Sequence, residues 1–163
     1  MSIFLYYWRF HLLAFSWLLS DQLSKYLVLR YIPAGTYHNT DYELIPDFLY
    51  LVHIYNEGAA WGMLAGYGSW LALMGILAIF SIFWFRQALG LEDKTTQWCF
   101  GLIAGGIAGN VVDRLIHGHV VDFIDVHLPG YRWPAFNFAD SGILIGVALY
   151  FFFSWRIAAK KEN

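Results

Sequence analysis

Apolar residues gather in four long runs, and each predicts a helix. Phe10 to Tyr31 begins cleanly and then carries Asp21, Gln22 and Lys25 in its second half. Tyr67 to Phe85 has nineteen residues without a charge. Trp98 to Val112 is short and glycine-rich, and Asn137 to Trp155 holds Asp140 near its start. A bilayer core about 30 Å thick needs about 20 mostly apolar helical residues, so each run is a candidate span. Between the first two runs the pattern changes. Phe48 to Tyr55 is aromatic and branched, bracketed by Pro46-Asp47 and Asn56-Glu57-Gly58, and reads as a strand with turns at both ends. Thr40 to Leu44 is a weaker strand candidate. The expected fold is a mainly α membrane protein of one domain over 1–163. Four transmembrane helices (10–31, 67–85, 98–112, 137–155) would carry a small extracytoplasmic β-sheet cradle built from about 36–62.

Composition supports this class. Of 163 residues, 59% are hydrophobic, 20% aromatic and 13% charged, with mean hydropathy +0.49. A soluble domain of this size lacks the interior to hide that much apolar side chain. The net charge of -2 argues against nucleic acid as a partner. The one cysteine, Cys99, cannot form an internal disulfide and is too little for a thiolate metal site. Arg9, Arg86, Lys94, Arg156, Lys160 and Lys161 fall on one side of the four-span arrangement, whereas Ile32 to Gly66 has no Lys or Arg and four acids. The positive-inside rule then puts both termini in the cytoplasm. The first helix has no small-x-small cleavage site after its apolar run and is read as retained.

Ionisable groups at membrane depth are costly, so each is a functional candidate. Asp21 and Lys25 are four apart and share a helix face, as an ion pair or a substrate contact. Asn110, Asp113 and Arg114 also share one face, at the end of the third run. A third group holds Asp122, Asp125 and Asp140, with Asn137 one turn before Asp140. Either Asn137 or Asp140 could cap the last helix. Two close carboxyls share a proton; the ionised one can activate water while the protonated one polarises a carbonyl. That chemistry hydrolyses a peptide without a covalent intermediate. Spacing leaves Asp113, Asp122 and Asp125 all open as the partner of Asp140. Gly101, Gly105 and Gly109 recur every four residues, which lets helix backbones approach closely.

Other chemistries fit less well. Cys99 lies at the opposite end of its helix. Ser24 and Ser141 have no base at helical spacing. His117, His119, Asp122 and His127 could hold zinc, but there is no His-Glu-x-x-His pattern. A proton-coupled transporter using Asp21 or Asp140 would place its acids at the midplane. A non-catalytic assembly subunit would tolerate loss of both Asp122 and Asp140. The Gly-x-Gly-Asp motif of another membrane aspartyl peptidase class is absent.

Several stretches together resemble bacterial lipoprotein signal peptidase (signal peptidase II), a family of membrane aspartyl peptidases. They are Asp21-Gln22-Leu23-Ser24-Lys25, Asn56-Glu57-Gly58-Ala59-Ala60-Trp61-Gly62, Gly105 to Arg114, Val120-Val121-Asp122-Phe123 and Phe136-Asn137-Phe138-Ala139-Asp140-Ser141. Trp61 stands where the family often has Phe. The resemblance implies Asp122 and Asp140 as the catalytic pair. It implies that Asn56, Gly58, Asn110, Arg114 and Asn137 line the site and orient substrate, and that Asp21, Lys25 and Asp113 are its polar scaffold. The implied substrate is a prolipoprotein carrying a diacylglyceryl group on its cysteine, cut on the amino side of that residue. No cofactor and no metal are implied. The implied setting is the lipid of the bacterial inner membrane, as a monomer with its site near the outer face, open to the family's cyclic peptide inhibitors.

Overall fold

The computed structural model describes residues 3–35 and 42–161. A short α1 (Ile3–Tyr6) precedes α2 (Trp8–Tyr31). Strands β1 (Tyr42–Ile45) and β2 (Leu49–Asn56) and a 3-10 turn (Ala60–Gly62) lead to α3 (Gly68–Trp84). Then come α4 (Lys94–His117), β3 (Val120–Leu128), β4 (Tyr131–Phe136) and α5 (Phe138–Lys161). The four apolar runs are therefore four helices, and the Phe48–Tyr55 strand is β2. The part of the outer β segment at 36–41 lies outside the described residues.

Two expectations need correction. The third helix is not short: it spans 24 residues and extends beyond the apolar run at both ends. Its limits are set by caps. Asp93 accepts the amide of Thr96 at 2.8 Å, and Gly118 adopts a left-handed φ of 79° while donating to Arg114 O. The second concerns the extent of the sheet, expected from about 36–62 alone: the segment between the third and fourth helices adds a hairpin to it. β3 and β4 pair antiparallel around Pro129-Gly130, with Gly130 at φ 76°, and complete a sheet in the order β1-β2-β3-β4.

α4 is the central helix, packed by α2, α3 and α5. Its glycines make this possible. Cβ atoms built on Gly101 and Gly105 would lie 3.0 Å from Phe10 O and 2.6 Å from Ala14 O of α2. The glycine row thus faces a neighbouring helix and leaves no room there for an acyl chain. On the next face, Gly106 lies against Ala139 of α5. The sheet is tied to the end of α2 through Val28, Ile32, Val121 and Phe123, and through His53 Nδ1 at 2.7 Å from Ile32 O.

The bundle buries a hydrophobic cluster around Phe10, Phe100 and Ile103 and, beside it, charged groups, while its outer surface is apolar. Asp21, Lys25 and Asp113 are at most 2% exposed, whereas Phe15, Trp84, Leu144 and Trp155 are 65–68% exposed. Such a surface needs an apolar solvent. Among the described residues, α4 and α5 are long and apolar enough to cross a membrane, and α3 is apolar but shorter.

Gly105→Ala tests the packing. An exposed helical Gly→Ala change gains about 1 kcal/mol of helix propensity. Here overpacking of about 1–3 kcal/mol should outweigh it. The thermal midpoint in detergent should fall; an unchanged or higher midpoint would contradict the close approach of α2 and α4.

Candidate active site

The polar residues converge where the end of α4, the start of β3 and the first turn of α5 meet. Helix α5 begins with a reciprocal cap. Asn137 Oδ1 accepts from the amide of Asp140 at 3.0 Å, and the amide of Asn137 donates to Asp140 Oδ2 at 3.3 Å. The next free amide, that of Ala139, donates to Asp21 Oδ1 of α2 at 2.8 Å. Carboxylates at a helix N-terminus also complement its dipole. The cap that orders α5 therefore fixes Asp140.

Asp122 is 2% exposed. Its Oδ1 accepts from Asn137 Nδ2 at 2.7 Å and its Oδ2 from Asn56 Nδ2 at 2.9 Å. Asp140 Oδ1 accepts from Asn110 Nδ2 at 2.8 Å. Asn137 touches both carboxyl groups, Asp122 through its side-chain NH2 and Asp140 through its backbone amide, so one residue links the pair. Burial, and after it the charge of Asp140, push the Asp122 carboxyl up to about 7. Asn56 and Asn137 oppose that rise and do not cancel it.

The three amides are oriented by neighbours that can only donate. Lys25 Nζ donates to Asn110 Oδ1 at 3.2 Å, so the NH2 of Asn110 must turn to Asp140. The amide of Gly58 donates to Asn56 Oδ1 at 3.0 Å, which turns that NH2 to Asp122. The amide of Asp140 does the same for Asn137. Lys25 is held in turn by Asp21 at 2.8 Å and Asp113 at 2.9 Å. Asp113 also accepts from Gln22 Nε2 at 2.9 Å and from the Val121 amide at 3.2 Å, which anchors the residue before Asp122. Arg114 donates to Gly58 O at 2.8 Å and Asn110 O at 3.2 Å, fastening the loop after β2 to α4.

All ten residues singled out for the site and its scaffold thus fall in one connected region. Of the three acids left open by spacing, Asp113 is occupied by Lys25 and Gln22. Asp125 is the correction to the third acidic group. It is fully buried, accepts from both Arg132 nitrogens and lies 3.0 Å from His127 Nε2, so it belongs to the β3–β4 hairpin and not beside Asp140. Strand periodicity already separates Asp122 and Asp125 onto opposite faces. His117 and His119 stay close, 6.0 Å ring to ring, with His119 against Tyr55, whereas His127 packs on Tyr50, and among the described residues no three of the zinc candidates converge. Gln22 was legible only as part of a motif; its tether to Asp113 and Gly109 O was not foreseen.

Beside the two acids lies a cavity of about 1270 Å³. Its walls include the polar Asp122, Asp140 and Arg114 together with the apolar Trp61, Trp133 and Leu144. This exceeds the usual size of a small-molecule pocket. It can take an extended peptide together with a hydrocarbon chain. Trp61 stands 6.3 Å from Trp133, ring to ring, across the sheet side of the opening.

The network predicts a large penalty for removing its cation. Lys25→Met leaves Asp21 and Asp113 buried without their partner and should cost about 3–5 kcal/mol. Urea or thermal unfolding in detergent measures it; a loss well under 1 kcal/mol would contradict the buried ion triad.

A family model described as signal peptidase (SPase) II matches residues 13–156. The chain is 40% identical over 147 residues to a lipoprotein signal peptidase of Janthinobacterium sp. (strain Marseille), covering 87% of this chain and 85% of that one. It is 38% identical over 160 residues to that of Anoxybacillus flavithermus (strain DSM 21510 / WK1), covering 96% and 93%. A bacterial membrane enzyme structure obtained by the in meso method at 2.3 Å superposes with TM-score 0.83 at 32% identity, over 93% of this chain and 90% of the other. A second, at 1.9 Å, gives 0.77 at 34% identity, over 88% and 90%. Sequence and fold agree over nearly the whole length, and the chain belongs to the signal peptidase II family of aspartic peptidases.

Proposed function

We propose that this protein removes signal peptides from diacylglyceryl-modified prolipoproteins, cutting on the amino side of the lipid-bearing cysteine with Asp122 and Asp140 as its catalytic pair. The observation that carries this reading is the pair itself: two carboxyl groups linked by Asn137 in the wall of a large, mainly apolar cavity. The four long helices cross the bacterial inner membrane with both termini in the cytoplasm, and the sheet lies on the outer face. The scissile bond of a lipid-anchored precursor sits at that interface, where the cavity offers both polar and apolar walls.

In the proposed reaction a water lodges between the carboxyls, which together hold one proton. The ionised group takes a proton from the water, whose oxygen attacks the scissile carbonyl carbon. The protonated group gives its proton to the carbonyl oxygen, and a neutral tetrahedral diol forms. A proton then passes to the amide nitrogen as the C–N bond breaks. The products are a free amine on the cysteine and a carboxyl on the signal peptide, and the pair regains its single proton. Asn56 and Asn110 hold one oxygen of each acid. Arg114 keeps the Gly58 loop over the site. The enzyme acts as a monomer, and cyclic peptides filling the cavity would inhibit it.

Purified protein should cleave a diacylated prolipoprotein and leave the unlipidated precursor intact; equal cleavage of both would contradict lipid recognition. Asp122→Asn and Asp140→Asn should each abolish cleavage while unfolding cooperatively, and full activity in either would refute the pair. The shared proton also sets a pH dependence. Because the Asp122 carboxyl is raised to about 7, the one-proton state is present below that pH and lost above it. The rate should therefore fall on the alkaline side through about 7, and a flat profile to well above that value would count against a shared proton.

A further inference from the structure

Trp17 lies on α2 one turn before Asp21 and so shares its helix face. Its indole Nε1 donates to Phe138 O at 2.8 Å. Phe138 is the first residue of α5, and its ring packs 6.4 Å from the Trp17 ring. The indole occupies the place where residue 142 would carry a side chain: a Cβ on Gly142 would lie 2.7 Å from both Cδ1 and Cε2 of Trp17. Glycine at 142 therefore admits the indole to the helix backbone. The root of Trp17 is equally confined, because a Cβ on Gly105 would lie 3.0 Å from its Cβ. An indole N–H in apolar surroundings needs a partner, and the carbonyl of Phe138 supplies it.

Helix α2 thus grips two successive residues of α5 by backbone atoms. Trp17 takes the carbonyl of Phe138 and Asp21 takes the amide of Ala139. The residue after them is Asp140. Asp122 is held by Asn56 and Asn137, and its strand is anchored one residue earlier, where the Val121 amide donates to Asp113. The placement of Asp140 against Asp122 then depends on the Asn137 link and on how firmly α2 holds the first turn of α5.

We propose that Trp17 is a positioning residue for the aspartate pair: its indole N–H, admitted by the missing side chain at Gly142, anchors the first turn of α5 and so places Asp140 against Asp122. This rests on the reading of Asp122 and Asp140 as catalytic. Displacements of about 1 Å at a catalytic group cost rate steeply, with losses of up to about 100-fold. Trp17→Phe keeps the ring and deletes the donor, whereas Gly142→Ala keeps the donor and expels the ring.

Steady-state cleavage of a diacylated prolipopeptide by the purified full chain tests this. Each substitution should lower kcat about tenfold with KM nearly unchanged, because the loss falls on the reacting geometry. The double variant should be no slower than the worse single one. The alkaline limb of the pH profile should move to lower pH in both, because a displaced Asp140 repels the Asp122 charge less. A merely structural role would lower the amount of folded enzyme and leave that limb in place. Wild-type kcat and an unmoved limb in Trp17→Phe would overturn the proposal, as would multiplicative losses in the double variant. Trp17→Phe decides the matter alone if Gly142→Ala does not fold. Asp140→Asn, run in parallel, separates the two ideas. If it cleaves fully, the pair assignment has failed; if it is dead while Trp17→Phe matches wild type, only the positioning role has failed.

Discussion

The ammonium group of Lys25, buried where α2 meets α4, sets the polarity of everything around it. A cation in an apolar medium must be matched at once, and Asp21 and Asp113 do so at 2.8 and 2.9 Å. Its third contact is with the oxygen of Asn110, and a lysine can only donate. That direction passes through the amide to Asp140. Asp21 and Asp113 pass it on as well, one to the first turn of α5 and the other to the strand that bears Asp122. One charge thus orients three elements, and the two acids at their junction inherit fixed positions.

This arrangement depends on close helices. Without a hydrophobic drive between lipid-clad helices, packing and internal hydrogen bonds must hold the bundle. Glycines on α4 bring α2 near enough for Lys25 and Gln22 to reach Asp113, and Gly109 lies directly against the Asp21 carboxyl. The same closeness keeps water from the scaffold, which strengthens its ion pairs and raises the Asp122 carboxyl. The cavity does the reverse on the other side of the pair. It is wide and mainly apolar.

Much of this was legible in the sequence, for physical reasons that differ by element. The four helices declare themselves as apolar runs, of which α4 and α5 are long and apolar enough to cross a membrane. Their ends do not follow hydropathy: Asp93 and Gly118 fix α4, and both are capping residue types that composition windows pass over. The β3–β4 hairpin was hidden by its own acids. Asp122 and Asp125 read as one cluster, although Pro129-Gly130 marks a turn and the register sets His127 opposite Arg132, which pairs Asp125 across the strands. Spacing puts Asp122 and Asp125 on opposite faces once the segment is a strand, but it does not say which of Asp113, Asp122 and Asp125 meets Asp140; only family motifs singled out Asp122. Trp17 looks in sequence like any aromatic of a membrane helix, and its partner Gly142 stands 125 residues away.

The central claim is that Asp122 and Asp140 together hold one proton near neutrality. Infrared titration of the carboxyl bands in the purified protein addresses it directly. One protonated carboxyl should persist towards neutral pH, disappear through about 7, and be lost or strongly displaced in both Asp122→Asn and Asp140→Asn. Absence of any protonated carboxyl at slightly acid pH, or a band indifferent to both substitutions, would contradict the account.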